Sequence, residues 1–166
     1  IGIIGLGEIG HEIALRARAF DMVVLYHQRT RAPEAQEREL KARHVPLETL
    51  LARSDWIVPQ LPTLPSTRDL IGRAELEQIK PGACIVNMSS ASAIYGQPEL
   101  ATYSASKFAI RGLTEALNIE WQSDGIRVVD VMPLFVRTDM VQGMTARSFD
   151  RMGARLTPSD VARTVH

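Results

Sequence analysis

Short runs of β-branched and other apolar residues alternate along the chain with longer stretches whose apolar positions recur at helical spacing. The short runs are typical of buried strands, and the longer stretches are typical of the helices that connect them. The predicted strands are 1–5, 22–26, a short one at 44–46, 56–61, 83–88 and 126–132. The predicted helices are 8–20, 32–42, 47–53, 67–79 and roughly 100–122. The pattern therefore predicts a parallel sheet with helices on both faces.

Six strands joined by crossovers of this length fit a doubly wound sheet in the order 3-2-1-4-5-6, with every crossover right-handed. We expect a single three-layer Rossmann-like α/β domain over residues 1–166, because this length suffices for one domain of ordinary size. Pro59 falls within a strand that should be central, and its missing amide hydrogen predicts a place at the carboxyl end of that strand. The tail 157–165 begins with Thr-Pro-Ser-Asp, which predicts the start of a last helix.

Composition and charge narrow the class of protein. Apolar residues make up 45% of the chain and charged residues 23%, a balance that argues against disorder and coiled coil. The 19 basic and 19 acidic residues cancel, so we expect no nucleic acid and no membrane as partner. The four histidines lack metal-ligand spacing, so no metal site is expected.

The single cysteine and the first residue bear on the origin of the chain. Cys84 cannot form an internal disulfide, which indicates a reducing compartment and hence a cytoplasmic location, or recombinant expression if the chain is engineered. Cys84 lies in an apolar strand and is expected to be a core residue. The chain begins at Ile1 inside an apolar run, without methionine or signal peptide, so we expect a piece cut at the edge of a strand.

A glycine-rich turn lies directly between the first predicted strand and the first predicted helix, with the sequence Gly5-Leu6-Gly7-Glu8-Ile9-Gly10. In this context the spacing predicts a dinucleotide phosphate site. Gly5 would make the tight turn, Gly7 would let the backbone approach a pyrophosphate lying over residues 7–9, and Gly10 would let helix and strand pack closely. The helix N-terminus would offer N–H groups and a positive dipole. The alternative is a glycine-rich turn without a ligand.

The residues after the second predicted strand bear on the choice of cofactor. An acid that binds the adenosine ribose of NAD normally lies there, and Gln28 stands at its position. Arg29 and Thr30 would instead bind a 2′-phosphate through a charged fork and a hydroxyl. We therefore expect NADP to be preferred over NAD. The alternative is a solvated loop that is rich in arginine.

The first half of the chain carries the segments IGIIGLGEIGHEIALRARAF, LYHQRTR, LETLLARSDWIVPQLPTLPSTRDLIG and ELEQIKPGACIVN. Through them, residues 1–88 resemble the nucleotide-binding domain of the D-2-hydroxyacid dehydrogenases, particularly the glyoxylate and hydroxypyruvate reductase branch. In that family a catalytic arginine follows the Val-Asn strand end, and Ser90 stands at its position here. The family's acid, histidine and substrate-binding domain have no counterpart, so hydroxyacid chemistry by that mechanism is not expected.

The second half carries IVNMSSASAIYG, TYSASKFAIRGLTEALNIEW, GIRVVDVMPLFVRTDM and TPSDVARTV. Through them, residues 83–166 resemble the short-chain dehydrogenases/reductases, with Ser90, Tyr103 and Lys107 at that family's spacing. The resemblance implies that Tyr103 protonates the substrate carbonyl oxygen, that Lys107 supplies a positive charge beside it and holds the nicotinamide ribose, and that Ser90 binds the carbonyl oxygen. The alternative is that Tyr103 and Lys107 are a pair on a helix surface.

The resemblances also imply cofactor contacts after the fourth and sixth predicted strands. These positions are Leu61 and Pro62 along the path of the nicotinamide, and Pro133, Val136 and Thr138 in the segment that meets the carboxamide. The short-chain family's catalytic asparagine is absent from 67–79, and its Asn-Asn-Ala-Gly turn is replaced by residues 61–64. We therefore expect at most trace ketone reduction.

Two resemblances that overlap within the fifth strand predict an engineered chimera of two Rossmann-type fragments. The alternative is an unusual natural fusion or fragment. The expected function is a dinucleotide-binding scaffold with little or no turnover. One alternative is an active NADP-dependent carbonyl reductase of short-chain type, and another is a ligand-free protein that tests fragment recombination. Helix 100–122 runs apolar on more than one face, through Phe108, Leu113 and Ile119 among others, so a weak homodimer through this helix is expected.

Overall fold

A six-stranded sheet forms the middle layer of the structure, a computed structural model in which residues 1–61, 67, 70–141 and 147–165 are described. Every neighbouring pair of strands is parallel, and the order is β3-β2-β1-β4-β5-β6. The strands are β1 (Gly2–Ile4), β2 (Val24–His27), β3 (Ala42–His44), β4 (Trp56–Pro59), β5 (Cys84–Met88) and β6 (Arg127–Val131). The predicted Rossmann-like α/β fold and its strand order are confirmed.

The described helices cover both faces of the sheet. They are α1 (Glu8–Ala19), α2 (Glu34–Leu40), α3 (Leu47–Arg53), α4 (Arg73–Leu76), α5 (Ala101–Glu120), α6 (Arg147–Met152) and α7 (Pro158–Ala162). One apolar cluster joins the sheet to α1, α2 and α7, through residues such as Ile13, Leu40 and Ala162. A second cluster joins the opposite face to α3 and α5, through Leu50, Leu51 and Leu117. The three predicted layers are therefore present.

Two element boundaries differ from the predicted ones for local reasons. The third strand begins at Ala42 rather than near His44, because Lys41 takes a left-handed conformation (φ 48°) that ends α2 and turns the chain at once into the strand. Pro46 then begins α3 instead of ending the strand. The predicted helix 67–79 is reduced to α4 in its described part, since the chain becomes helical only after Gly72, whose amide donates to Glu75 (2.9 Å).

The predictions for Pro59, Cys84 and the last helix are confirmed. Pro59 is the final residue of β4 and lies opposite Ile4, while the next amide, that of Gln60, continues the ladder to the carbonyl of Ile4 (2.7 Å). Cys84 is buried in β5, and burial raises the pKa of its thiol. The hydroxyl oxygen of Thr157 caps α7 by accepting from the amide of Asp160 (3.2 Å), and the Asp160 carboxylate accepts from the amide of Thr157 (2.8 Å).

No helix within the described ranges combines the length and the hydropathy needed to cross a bilayer. Those same ranges contain no group of three or more His, Cys, Asp or Glu side chains placed to hold a metal ion.

Candidate functional site

The order of the strands reverses between β1 and β4, and ligands of doubly wound sheets bind outside the carboxyl ends of the strands at such a point. The glycine-rich turn follows β1 there, and Leu61 follows β4 two residues after its end. The amide of Gly5 donates to the carbonyl of His27 at the end of β2 (2.9 Å). The turn is thus fixed to the end of β2 at the edge where a ligand would lie.

The three glycines of the turn have different surroundings. A Cβ at Gly5 would lie 2.5 Å from the carbonyl oxygen of Gln60, and the φ of Gly5 is +98°, so only glycine is accommodated. A Cβ at Gly10 would collide with the carbonyl oxygen of Gly5, where α1 approaches the strand. A Cβ at Gly7 would meet no atom within 4 Å. Packing therefore explains Gly5 and Gly10, whereas the space beside Gly7 is open to a ligand.

Gln28 ties the glycine-rich turn to the segment after β2. Its side-chain oxygen accepts a hydrogen bond from the amide of Leu6 (2.9 Å), and its side-chain nitrogen donates to the carbonyl of Thr30 (2.8 Å). The side chain at the position of the usual ribose-binding acid is thus already engaged with the backbone on both sides.

The segment 28–32 presents two of its predicted phosphate ligands to solvent. Arg29 and Thr30 are both exposed. Arg31, the next cation, instead forms a two-pronged ion pair with Glu37 of α2, with both N–O distances at 2.8 Å. Arg29 and Arg31 are both exposed, and they differ in that the charge of Arg31 is neutralised by Glu37.

A buried polar network that the sequence pattern does not predict lies beneath this segment. The hydroxyl of Tyr26 donates to Glu37 (2.6 Å) and accepts from the amide of Ala32 (3.0 Å). Hydrogen bonds from Arg31 and then from Tyr26 lower the pKa of Glu37 to about 2. Burial is the largest cause that raises the pKa of Tyr26. In the sequence, Tyr26 looks like an ordinary core residue of a strand, and Glu37 looks like an ordinary surface acid of a helix. The sequence therefore gives no signal that the two side chains form a hydrogen bond.

A cleft of about 520 Å³ lies beside the glycine-rich turn, between α1 and the start of α7. Its lining residues are Leu6, Gly7, Glu8, His11, Glu12, Gln36, Thr157, Pro158 and Ser159. Ser159 is joined to α1 by a hydrogen bond from Arg16. Gly7 and Glu8 are predicted site residues, whereas the residues of α7 are distant in sequence and were not predicted to lie here.

Glu8 also links the turn to the segment after β6. Its carboxylate accepts a hydrogen bond from the amide of Asp139 (3.4 Å), next to Thr138. Glu8 lies in the first turn of α1, where a negative charge is favoured by the helix dipole. The same carboxylate would repel a pyrophosphate bound at that helix terminus.

Ser90 follows the end of β5, next to the segment that follows β6, and is only 8% exposed. Its hydroxyl oxygen accepts from the amide of Ser92 (3.2 Å) and lies 3.4 Å from the carbonyl oxygen of Pro133. The amide of Ala91 donates to the same carbonyl (2.9 Å). The structure therefore brings Ser90 and Pro133 together, and the serine hydroxyl is occupied by partners within the chain.

Tyr103 and Lys107 lie one turn apart on α5. The ammonium of Lys107 is 5.6 Å from the centre of the Tyr103 ring and donates to the carbonyl of Met88 at the end of β5 (3.1 Å). Burial lowers the pKa of Lys107. Tyr103 is 39% exposed. The lysine is therefore directed to the strand end, while the phenol borders solvent.

The remaining predicted cofactor contacts lie at the same edge of the sheet where they are described. Leu61 is half-buried, and its side chain would lie 3.1 Å from a Cβ at Gly5. Val136 is buried and pairs with Leu156 in a short bridge, and Thr138 follows it. Pro62 lies outside the described residues.

Helix α5 exposes several large apolar side chains. Ile119 is 73% exposed, and Phe108 and Leu113 are about half exposed. The prediction that this helix is apolar beyond the face that packs on the sheet is confirmed at these positions.

The strand order and the glycine-rich turn at its reversal point are typical of a dinucleotide-binding domain. The chain belongs to the family described as "D-isomer specific 2-hydroxyacid dehydrogenase, NAD binding domain", whose model matches residues 1–108. A second model, "short chain dehydrogenase", matches residues 73–148. The two matches overlap across α4, β5 and the start of α5.

The curated relatives of this chain include several glyoxylate reductases. The chain is 51% identical over 89 residues to a glyoxylate reductase from Thermococcus gammatolerans, covering 54% of this chain and 26% of that protein. It is 44% identical over 95 residues to a glyoxylate/hydroxypyruvate reductase B from Pectobacterium atrosepticum, covering 57% of this chain and 29% of that protein. The match thus spans about a quarter of the length of these relatives.

Solved structures resemble the chain over nearly its whole length. A mutant short-chain dehydrogenase/reductase from Serratia marcescens has a TM-score of 0.78 at 17% identity and covers 99% of this chain and 87% of that one. A putative oxidoreductase from Escherichia coli has a TM-score of 0.75 at 21% identity, with the same coverage. At such identities the likeness shows the fold.

Proposed function

We propose that this chain binds a nicotinamide dinucleotide, prefers NADP(H), and reduces carbonyl substrates at trace rates at most. The observation that carries the proposal is the open space beside Gly7, at the reversal point of a sheet whose neighbouring glycines are fixed by packing. Gly7 is also the N-cap of α1, and a glycine there leaves room for the close approach of a ligand to the backbone.

The residues of this edge suit the parts of a dinucleotide. The first amides of α1 have no partner inside the helix and would hold the pyrophosphate. Arg29 and Thr30, both exposed after β2, would hold a 2′-phosphate. Lys107 would hold the nicotinamide ribose, and Leu61, Pro133, Val136 and Thr138 would border the ring. The bound nicotinamide supplies the hydride for carbonyl reduction.

We expect low turnover because the candidate catalytic side chains already form hydrogen bonds within the chain. The hydroxyl of Ser90 is buried against Ser92 and the Pro133 carbonyl, so it is poorly placed to bind a substrate oxygen. The ammonium of Lys107 donates its hydrogen bond to the carbonyl of Met88. Misplacement of a catalytic group by about 1 Å can cost roughly a hundredfold in rate. The absent asparagine removes a further support for proton transfer.

The two family matches support a proposal about the origin of the chain. A match to one family over residues 1–108 and to another over 73–148, meeting around β5, fits an engineered chimera of two Rossmann-type fragments. Both parents supply strands in the same order, so their halves pack on one sheet. The single cysteine fits a cytoplasmic location.

A weak homodimer through α5 is part of the same proposal. The exposed apolar side chains Phe108, Leu113 and Ile119 offer the surface for it. Sedimentation at rising protein concentration would reveal the association, and a strict monomer at high concentration would contradict it.

An active NADP-dependent carbonyl reductase is the second candidate. It is favoured by the placement of Tyr103 and Lys107 one turn apart on α5, beside the strand end that carries Ser90. The third candidate is a ligand-free protein in which Gly7 serves only as the N-cap of α1.

Calorimetric titration with NADPH and NADH, followed by a ketone panel, separates these candidates. We expect both dinucleotides to bind, NADPH more tightly, with ketone reduction near the limit of detection. Reduction at ordinary enzyme rates that Tyr103→Phe abolishes would establish the reductase instead. Failure of both dinucleotides to bind would leave the ligand-free protein.

A further inference from the structure

A buried acid, Glu37, fixes the backbone of the segment between β2 and α2. One carboxylate oxygen accepts from the Tyr26 hydroxyl (2.6 Å) and from the Nε of Arg31 (2.8 Å), and the other accepts from the Nη2 of Arg31 (2.8 Å). Tyr26 is fully buried, and Glu37 is only 8% exposed. Since the Tyr26 hydroxyl also accepts from the amide of Ala32, the segment is held at two consecutive residues.

The other end of the segment is held from the glycine-rich turn. Gln28 binds the carbonyl of Thr30 with its side-chain nitrogen and the amide of Leu6 with its side-chain oxygen. Arg29 and Thr30 therefore extend from a backbone that is fixed on both sides, and both are exposed. Donors that are fixed before a ligand arrives bind it at a lower cost in conformational entropy.

The ion pair also decides which cation of the segment remains for a phosphate. Arg31 is neutralised by a carboxylate in fork geometry, which adds directional specificity to the charge. Within residues 28–32, which are all described, this leaves Arg29 as the cation that faces water without that neutralisation.

We infer that Tyr26, Glu37 and Arg31 are positioning residues that set the preference of this chain for NADPH over NADH, without touching the cofactor. The inference rests on the proposed dinucleotide site. The Tyr26–Glu37–Arg31 network fixes the backbone from which Arg29 and Thr30 reach a 2′-phosphate. NADH lacks that phosphate and gains nothing from the network. Loss of the network should therefore weaken NADPH selectively.

The variant Tyr26→Phe tests the inference without changing charge. It removes the hydrogen bonds to Glu37 and Ala32 and keeps the ring that fills the core. We expect NADPH to bind about five- to tenfold more weakly, as the loss of well-placed hydrogen bonds implies, and NADH to bind within about twofold of the unmodified chain. The matched control is Tyr95→Phe, which removes the hydroxyl of an exposed tyrosine. Both dissociation constants are measured by calorimetry, with the melting temperature alongside.

A second variant, Arg31→Lys, tests the exposed end of the network and keeps its charge. Lysine lacks the planar fork, so the two-pronged contact with Glu37 is lost and the same selective weakening of NADPH is expected. Unchanged or tighter NADPH binding in Arg31→Lys would overturn the inference, because Arg31 would then act through its charge alone.

The outcomes separate this inference from the proposed function. If the unmodified chain binds both dinucleotides and the NADPH-to-NADH affinity ratio of Tyr26→Phe is unchanged, only the inference is overturned. A parallel loss of both affinities together with a lower melting temperature would mark the network as merely structural and would overturn it too. If the unmodified chain binds neither dinucleotide, the proposed function and the inference both fail.

Discussion

The backbone amide of Leu6 donates to the side-chain oxygen of Gln28 over 2.9 Å, and this bond joins the glycine-rich turn after β1 to the segment after β2. The two loops that would hold the pyrophosphate and the adenosine end of a dinucleotide are therefore one structural unit. Gln28, at the position of the usual ribose-binding acid, thus holds the backbone of both loops through its side chain.

The variant Gln28→Glu should reverse the preference between the two cofactors. The new carboxylate can still accept from the Leu6 amide, but it cannot donate to the carbonyl of Thr30, and its charge would repel a 2′-phosphate. We expect NADPH to bind about tenfold or more weakly and NADH to bind nearly unchanged. Calorimetry at low and moderate salt measures both, with exposed Gln122→Glu as the control. Equal losses for the two dinucleotides would contradict the proposed place of the phosphate.

Alanine substitutions at Gly7 and Gly10 should separate ligand binding from stability. Gly7→Ala adds a Cβ that meets no protein atom within 4 Å, so the free energy of unfolding should fall by at most about 1 kcal/mol, the difference between glycine and alanine at an N-cap. Dinucleotide affinity should fall sharply, because the methyl group would occupy the space of the pyrophosphate.

Gly10→Ala should instead unfold the chain more easily. Its Cβ would collide with the Gly5 carbonyl oxygen, and overpacking of this kind costs about 1–3 kcal/mol. Urea unfolding of both variants gives the comparison. Unaltered NADPH affinity in Gly7→Ala would count against a ligand at the turn.

Removal of the Glu8 charge should strengthen dinucleotide binding. The carboxylate lies at the N-terminus of α1 beside the Asp139 amide, where it competes with a bound pyrophosphate for the same positive end of the helix. For Glu8→Gln we expect about two- to fivefold tighter binding of both NADPH and NADH, with the gain shrinking at high salt. The free energy of unfolding should fall by about 0.3–1 kcal/mol, since a favourable helix-dipole contact is lost.

The control for Glu8→Gln is Glu48→Gln. Glu48 lies in the first turn of α3, which packs on the opposite face of the sheet. This substitution should alter stability to a similar degree and leave dinucleotide affinity unchanged. Titration by fluorescence quenching is sufficient for both variants. Weaker binding in Glu8→Gln would show that the carboxylate supports the site rather than opposing it.

The stability of the fold should depend on pH through Glu37. Hydrogen bonds from Arg31 and Tyr26 lower its pKa from 4.5 to about 2, so the folded state releases this proton more readily than the unfolded state. The resulting stabilisation is fully present above about pH 4.5 and is lost as the pH falls through about 2.

Glu37→Gln should therefore flatten the dependence of the free energy of unfolding on pH between about 4.5 and 2. Urea unfolding at a series of acidic pH values measures the slope. The matched control is Glu34→Gln on the same helix, where the acid pairs with Arg38 at the exposed surface. An unchanged slope in Glu37→Gln would show that the ion pair does not carry this pH dependence.

The sequence by itself determined the layers, the strand order and the place of the glycine-rich turn. These depend on local signals: apolar runs of strand length, helical periodicity, and glycines placed between a strand and a helix. Pro59 fell at the strand end because its missing amide hydrogen is a property of the residue alone. The spacing of Ser90, Tyr103 and Lys107 could likewise be recognised in the sequence, because β5 and α5 follow each other along the chain.

Only the tertiary structure decided which of the polar residues are engaged. In the sequence, Glu37 is one of several acids in a predicted helix. Its carboxylate becomes buried only because α2 packs against Tyr26. Ser159 reaches the cleft beside Gly7 from the far end of the chain. Such contacts depend on how elements that are distant in sequence are placed relative to one another. Residue type and periodicity determine the conformation of a single element, but they do not specify which side chains it will contact.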